Sequence, residues 1–236
     1  MFCKGYFAVA LLLLIGCHQL ATQVDETQGE AVSSSAPADS RNVKPAVKLP
    51  TVKLTPESYI EWMSDPENQI ASAGTYGDIT YEFIYRPAEL IALQRAEGDS
   101  SFRKNYEVEK VALSGYQYYV LTARTPSGEN IISYKSSSAQ EKQTRSDYYS
   151  FAMQKDIKLV DGTDTLKCIM FHHENAYGVL PYTNFLLGFP LLDNTSTNKN
   201  HQQKVLVFSD RVMGVQSASL TLREEDFDRI PQLVIN

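Results

Sequence analysis

The chain has 236 residues, 43% hydrophobic and 11% aromatic, and its 22 Lys and Arg against 28 Asp and Glu give a formal net charge of −6. That acidic balance, with no basic stripe, makes nucleic acid and anionic lipid headgroups poor partner classes. Three cysteines are too few for a disulfide-stapled scaffold, so the fold must rest on a hydrophobic core.

The chain opens MFCKGYFAVALLLLIGCHQLAT. Lys4 supplies a positive flank, and Phe7 to Ile15 supply an apolar run too short to span a bilayer as a helix. This is the shape of a secretory signal peptide, which stands apart from the fold. Leu14-Ile15-Gly16-Cys17, at the end of the run, resembles the lipobox of bacterial lipoproteins. The resemblance covers residues 1–17 alone. It implies cleavage before Cys17, acylation of that cysteine, and insertion of its acyl chains into a lipid bilayer. At ~0.8 kcal/mol per buried methylene, three chains make an essentially permanent anchor. His18 stands where an aspartate would favour inner-membrane retention in enteric bacteria, so the resemblance implies the cell envelope, with the outer membrane ahead of the inner. The residues by themselves also fit an ordinary signal peptide or an uncleaved anchor. On the lipobox reading Cys3 leaves with residues 1–16, Cys17 carries lipid, and Cys168 remains with no disulfide partner. Loss of Lys4 moves the net charge from −6 to −7.

Residues 17–50 follow the signal. From Ala21 to Pro50 the sequence is rich in Ser, Ala, Pro and charge and has no aromatic residue. Such a stretch buries too little apolar surface to offset its ordering entropy and is expected to be a disordered tether, about 30 Å in root-mean-square reach. Residues 51–236 are dense in Tyr, Phe, Leu and Val and read as a single globular domain.

Within that domain, Thr55-Pro56-Glu57 reads as a helix N-cap, proline at the first helical position and an acid in the first turn, with Tyr59, Ile60 and Met63 on one face. Ile79 to Tyr85 alternates as a strand and stops at Arg86-Pro87. After Pro87, AELIALQRAEG predicts a second short helix ending at Gly98. Gly115 to Arg124, Ile131 to Tyr134, Tyr148 to Met153, Ile157 to Val160, Leu166 to His173, Phe185 to Leu191, Val205 to Ser209 and Ser219 to Leu222 are the further expected strands. Asp161-Gly162 between apolar runs signals a two-residue hairpin. The expected class is α+β: a predominantly antiparallel sheet, as a sandwich or curled sheet, with two short helices on its N-terminal side.

No Gly-x-Ser-x-Gly elbow, His-Glu-x-x-His, phosphate-cradling loop or dinucleotide fingerprint occurs. The densest constellation is Cys168-Ile-Met-Phe-His172-His173-Glu174. On a continuous strand Cys168, Met170, His172 and Glu174 share one face, and thiolate, imidazole and carboxylate are zinc ligands. Side chains along one face run parallel rather than converging, however, so a structural cluster is favoured over a metal site. A Cys168–His172 nucleophile pair lacks an orienting third group. Tyrosine is the second feature. Tyr116, Tyr118 and Tyr119 stand together, and exposed rings stack on sugars and anchor protein interfaces. Tyr118 and Tyr119 point to opposite faces, so at least one of them is expected in the core. The third feature is His173 to Asn184, a loop-like stretch carrying Asn175, Tyr177 and Tyr182. Asp193 to Gln203 is polar enough to be an exposed loop.

Two functional classes follow. The first is a non-enzymatic envelope lipoprotein that presents its domain to a partner protein or glycan, with Tyr116, Tyr119, Asn175, Tyr177 and Tyr182 as candidate binding residues and no cofactor. The second is a metal-dependent or hydrolytic envelope enzyme built on Cys168, His172 and Glu174.

Overall fold

The computed structural model of the chain describes residues 52–96, 102–174, 180–192 and 203–235. The signal segment, Cys17, the tether, Asn175, Tyr177, the Gly98 helix stop and residues 193–202 lie outside the described residues.

In chain order the elements are β1 (Lys53–Leu54), α1 (Pro56–Ser64), β2 (Ala71–Tyr76), β3 (Ile79–Arg86), α2 (Ala88–Ala96), α3 (Phe102–Leu113), β4 (Tyr116–Arg124) and α4 (Ala139–Asp147). A π-helical turn (Tyr148–Ala152) and a 3-10 turn (Met153–Asp156) lead into β5 (Ile157–Asp161), β6 (Asp164–Lys167), β7 (Met170–Glu174), β8 (Thr183–Pro190), β9 (Lys204–Asp210) and β10 (Val215–Leu222). The chain closes with α5 (Glu224–Phe227) and β11 (Gln232–Leu233). The fold is α+β. A five-stranded antiparallel sheet, β2-β3-β4-β8-β7, faces a four-stranded antiparallel sheet, β10-β9-β5-β6, and β1 pairs in parallel with β11.

Alternation makes the sandwich. Ile79, Tyr81 and Phe83 of β3, Tyr119, Leu121 and Ala123 of β4, and Phe185, Leu187 and Phe189 of β8 point inward against Ile157, Leu159, Leu206, Phe208, Leu220 and Leu222. A second apolar cluster lies elsewhere: Tyr59 and Met63 of α1, Leu90 and Leu93 of α2, and Tyr106 and Leu113 of α3 gather around Tyr118 of β4. Tyr118 projects from the outer face of the five-stranded sheet, so the helices cover one end of that face. Thr55 caps α1 as expected, its side chain accepting from the Ser58 backbone N–H.

Two buried polar networks lie in the sandwich. Asp210 is fully buried and accepts from the Tyr81 and Tyr149 hydroxyls at 2.8 and 3.0 Å and from the backbone N–H groups of Val212 and Met213 at 3.0 Å. Burial raises its carboxyl above the usual range, and these donors oppose the rise. In the second, Lys204 pairs with Asp161 inside the protein, Gln117 Nε2 donates to Asp161 at 3.0 Å, and the Tyr119 hydroxyl donates to Gln117 Oε1 at 2.6 Å. Each network ties side chains of both sheets.

Four local expectations are corrected. Ile131 to Tyr134 is a turn, held by the buried Arg145 guanidinium donating to the Tyr134 and Lys135 carbonyls. Tyr148 to Met153 is helical, because Tyr149 and Met153 are buried at a spacing of four while Phe151 between them faces solvent. The run Leu166 to His173 is two strands in two sheets, broken at Cys168-Ile169. The hairpin turn is Gly162-Thr163, with Asp161 paired to Asp164 and Gly162 at φ +63°.

Candidate functional site

The outer face of the five-stranded sheet gathers the largest share of the sequence-derived candidates. The antiparallel register sets its side chains in rows. Glu82, Thr122, Asn184 and Glu174 stand opposite one another across β3, β4, β8 and β7. The next outward row is Ile84, Val120, Leu186 and His172, and the one after it Arg86, Tyr118, Gly188 and Met170. A polar row therefore borders an aliphatic one, and among the described residues the helices cover the face toward Tyr118.

The polar row is wired across strands. Thr122 Oγ1 donates to Asn184 Oδ1 at 2.9 Å, and Asn184 Nδ2 donates to Glu174 Oε2 at 3.0 Å. Arg124 pairs with Glu82 at 3.3 Å, and its guanidinium lies 4.7 Å from the centroid of the Tyr182 ring. Arg86 donates to Gln94 Oε1 at 2.9 Å, tying the face to α2. Burial lowers the Arg86 guanidinium from its ordinary value, and the negative charge of Glu174 opposes that shift. The arrangement sets a carboxylate, a carboxamide and a guanidinium–aromatic pair beside a half-buried aliphatic strip, with the buried Thr122 hydroxyl fixing the carboxamide from behind. Such a set can hydrogen-bond hydroxyl or amide groups while a ring or a methyl lies on the strip. At the other end, Tyr116 is 38% exposed and Met170 47% exposed. Gly188, between Tyr118 and Met170, is needed there, since a Cβ would lie 2.8 Å from the Met170 Cβ.

The other candidates fall elsewhere. Tyr119 is a core residue, stacked on Phe83 at 4.7 Å between ring centroids, and is not available as a binding residue. Tyr118 is buried too, so the split between faces placed both rings in cores on opposite sides of the sheet. Cys168 and His172 do not form one site. The break at Cys168-Ile169 turns Cys168 into the sandwich core, whereas His172 and Glu174 lie on the outer face of the other sheet. Burial pushes the Cys168 thiol up to about 11, and its Sγ donates to the Met170 carbonyl at 3.2 Å. That environment suppresses the thiolate a nucleophile or zinc ligand needs. Among the described residues, no three His, Cys, Asp or Glu side chains gather as a metal site. No motif in the sequence marks Glu82, Thr122 or Arg124; only the register of three distant strands brings them beside Glu174.

No protein-family model matches the sequence, and no curated protein matches it. A crystal structure of a protein of unknown function from Burkholderia pseudomallei K96243 is similar over 75% of this chain and 92% of its own, at 11% identity. Its TM-score of 0.34 is too low to carry an argument about fold or function.

Proposed function

We propose that the protein is a lipoprotein of the bacterial cell envelope, held in a bilayer through acylated Cys17, that binds an envelope glycan or partner protein on the outer face of its five-stranded sheet. The lipobox-like Leu14–Cys17 supports the anchor. The observation that carries the binding role is the Thr122–Asn184–Glu174 hydrogen-bond chain beside the half-buried Ile84, Val120 and Leu186. Donors and acceptors held in fixed positions next to an apolar strip suit a glycan, whose hydroxyls and ring faces need both at once. Met170, 47% exposed on β7, favours a protein as the second occupant, because a partner wide enough to reach it gains apolar burial. The reading calls for no metal or cofactor.

Two experiments test it. In metabolic labelling with a tagged palmitate, the parent chain should take up label and Cys17→Ser none; equal labelling contradicts the anchor. In sedimentation with purified envelope glycan, Glu174→Gln combined with Asn184→Ala should lower the bound fraction at least tenfold, since two hydrogen-bonding groups are each worth about 1 kcal/mol. An unchanged bound fraction removes the outer face as the glycan site.

A further inference from the structure

The edge of the sandwich where β6 crosses to β7 has a chemistry of its own. Lys158 of β5 and Lys167 of β6 are directly opposite each other on the outer face of the four-stranded sheet, and both are exposed. Like charges in that position repel and destabilise a sheet. Lys155, in the turn just before β5, is also exposed. Neither Lys155, Lys158 nor Lys167 has an anionic partner among the described residues, and the neighbouring Asp156 is taken by Arg211. Close to these cations in the chain are two bare apolar side chains, Phe151 at 76% exposure, four residues before Lys155, and Ile169 at 47%, two residues after Lys167. The two turns and the crossover are joined by Gln154 Nε2 donating to the Cys168 carbonyl at 3.0 Å, which sets the Phe151 turn against the Lys167-Cys168-Ile169 segment. On a chain with net charge −6, three lysines with no anionic partner among the described residues, two of them within four residues of an exposed Phe or Ile, are a local inversion of character.

We propose that this edge rests on an anionic bilayer surface, with Lys155, Lys158 and Lys167 at the lipid phosphates and Phe151 and Ile169 in the headgroup layer. An acidic surface relieves the Lys158–Lys167 repulsion, and long ammonium stems place charge at the phosphates while aromatic and aliphatic side chains enter the interface. A protein partner would match the apolar residues but explains the facing Lys158–Lys167 pair less directly. The inference rests on the lipoprotein reading for its nearby membrane, and it limits the exclusion of lipid headgroups drawn from overall charge: that exclusion holds for the average surface and fails at this edge. Contact here would orient the domain on its tether and leave the outer face of the five-stranded sheet open.

The test is flotation of the full chain with vesicles of phosphatidylcholine, alone or with about one-third phosphatidylglycerol, at low salt. The Cys17→Ser chain removes the acyl anchor, and the quantity read is the extra partitioning that phosphatidylglycerol produces. Residues 1–16 contribute equally to every variant and cancel in the comparison. Each lysine near an anionic surface contributes about fivefold, so Lys158→Gln with Lys167→Gln should reduce partitioning onto the anionic vesicles roughly 30-fold. Added salt should abolish the same increment, and Phe151→Ser should weaken binding without changing its salt dependence. The glutamine pair is exposed and relieves a repulsion, so thermal unfolding at or slightly above that of the parent will show that it folds. Equal partitioning of the Cys17→Ser chain onto neutral and anionic vesicles, or no loss in the lysine variant, overturns the proposal. Failure of the acylated parent to float on neutral vesicles overturns the anchor instead, so the two readings fail separately.

Discussion

Acidification acts on one residue whose response can be worked out in advance. The His173 ring stacks on Phe185 at 5.3 Å between centroids, lies 6.1 Å from Tyr149, and buries an Nε2 with no hydrogen-bond partner. Burial, with the adjacent His172 adding to it, lowers the imidazole from 6.5 to about 4. The unfolded chain therefore takes up this proton first. Stability from His173 is complete above the unfolded value and is lost as the pH falls toward the folded one. Integrating between those limits gives a loss of about 2 kcal/mol from pH 7 to pH 4.5. His173→Phe keeps an aromatic ring against Phe185 and has no proton to bind. Urea unfolding of both chains at pH 7, about 5.5 and about 4.5 reads the effect. The parent should weaken relative to His173→Phe by about 1 kcal/mol at the middle pH and about 2 kcal/mol at the lowest. Phe should also be no worse at pH 7, because it removes an unpaired buried nitrogen worth about 1–3 kcal/mol. Parallel pH profiles for the two chains would refute the reasoning.

Other outcomes follow from the two networks and the thiol. Lys204→Met should cost about 3–5 kcal/mol in urea unfolding, because it strands the Asp161 carboxylate in the sandwich with Gln117 as its remaining side-chain donor among the described residues. Adding Asp161→Leu should recover part of that loss, and a cost under about 1 kcal/mol for the single change contradicts the buried-pair description. Native Cys168 should react slowly with thiol reagents near neutral pH, with or without chelator, since its pKa is pushed up to about 11. Labelling that becomes fast with chelator alone would restore a metal there.

The sequence carried the architecture where one face of an element is buried and the other wet. Alternation in Ile79-Thr-Tyr-Glu-Phe-Ile-Tyr85 made β3 legible, and Thr55-Pro56-Glu57 made the start of α1 legible. It misled where aromatic content stood in for period: Tyr148 to Met153 has strand composition but buries Tyr149 and Met153 at helical spacing. Two helices went unread, α3 although Phe102, Tyr106 and Leu113 share one face, because exposed Val108 and Val111 blur the spacing. In α3 Tyr106 and Leu113 are buried among charged neighbours, and α4 is polar on every side apart from the buried Arg145. Strand β2, Ala-Ser-Ala-Gly-Thr-Tyr, is built from small residues that show no periodicity. For the site, His172, Glu174, Tyr116 and Tyr182 were legible as unusual residue types, but their grouping was not. Whether Cys168 shares a face with His172 depends on a chain break that period-two reasoning assumes away. Glu82 and Thr122 reach Glu174 only through pairings between strands far apart in sequence.

The central claim is that the outer face of the five-stranded sheet meets a partner while the protein sits in the envelope. Photo-crosslinking in the producing cell tests this most directly, with the photoreactive residue placed at His172 on that face or at exposed Lys142 on α4. The account predicts a discrete adduct from position 172, lost when Glu174→Gln and Asn184→Ala are added, and none from position 142. Adducts of equal yield from both positions, or an adduct at 172 that survives the double change, would contradict it.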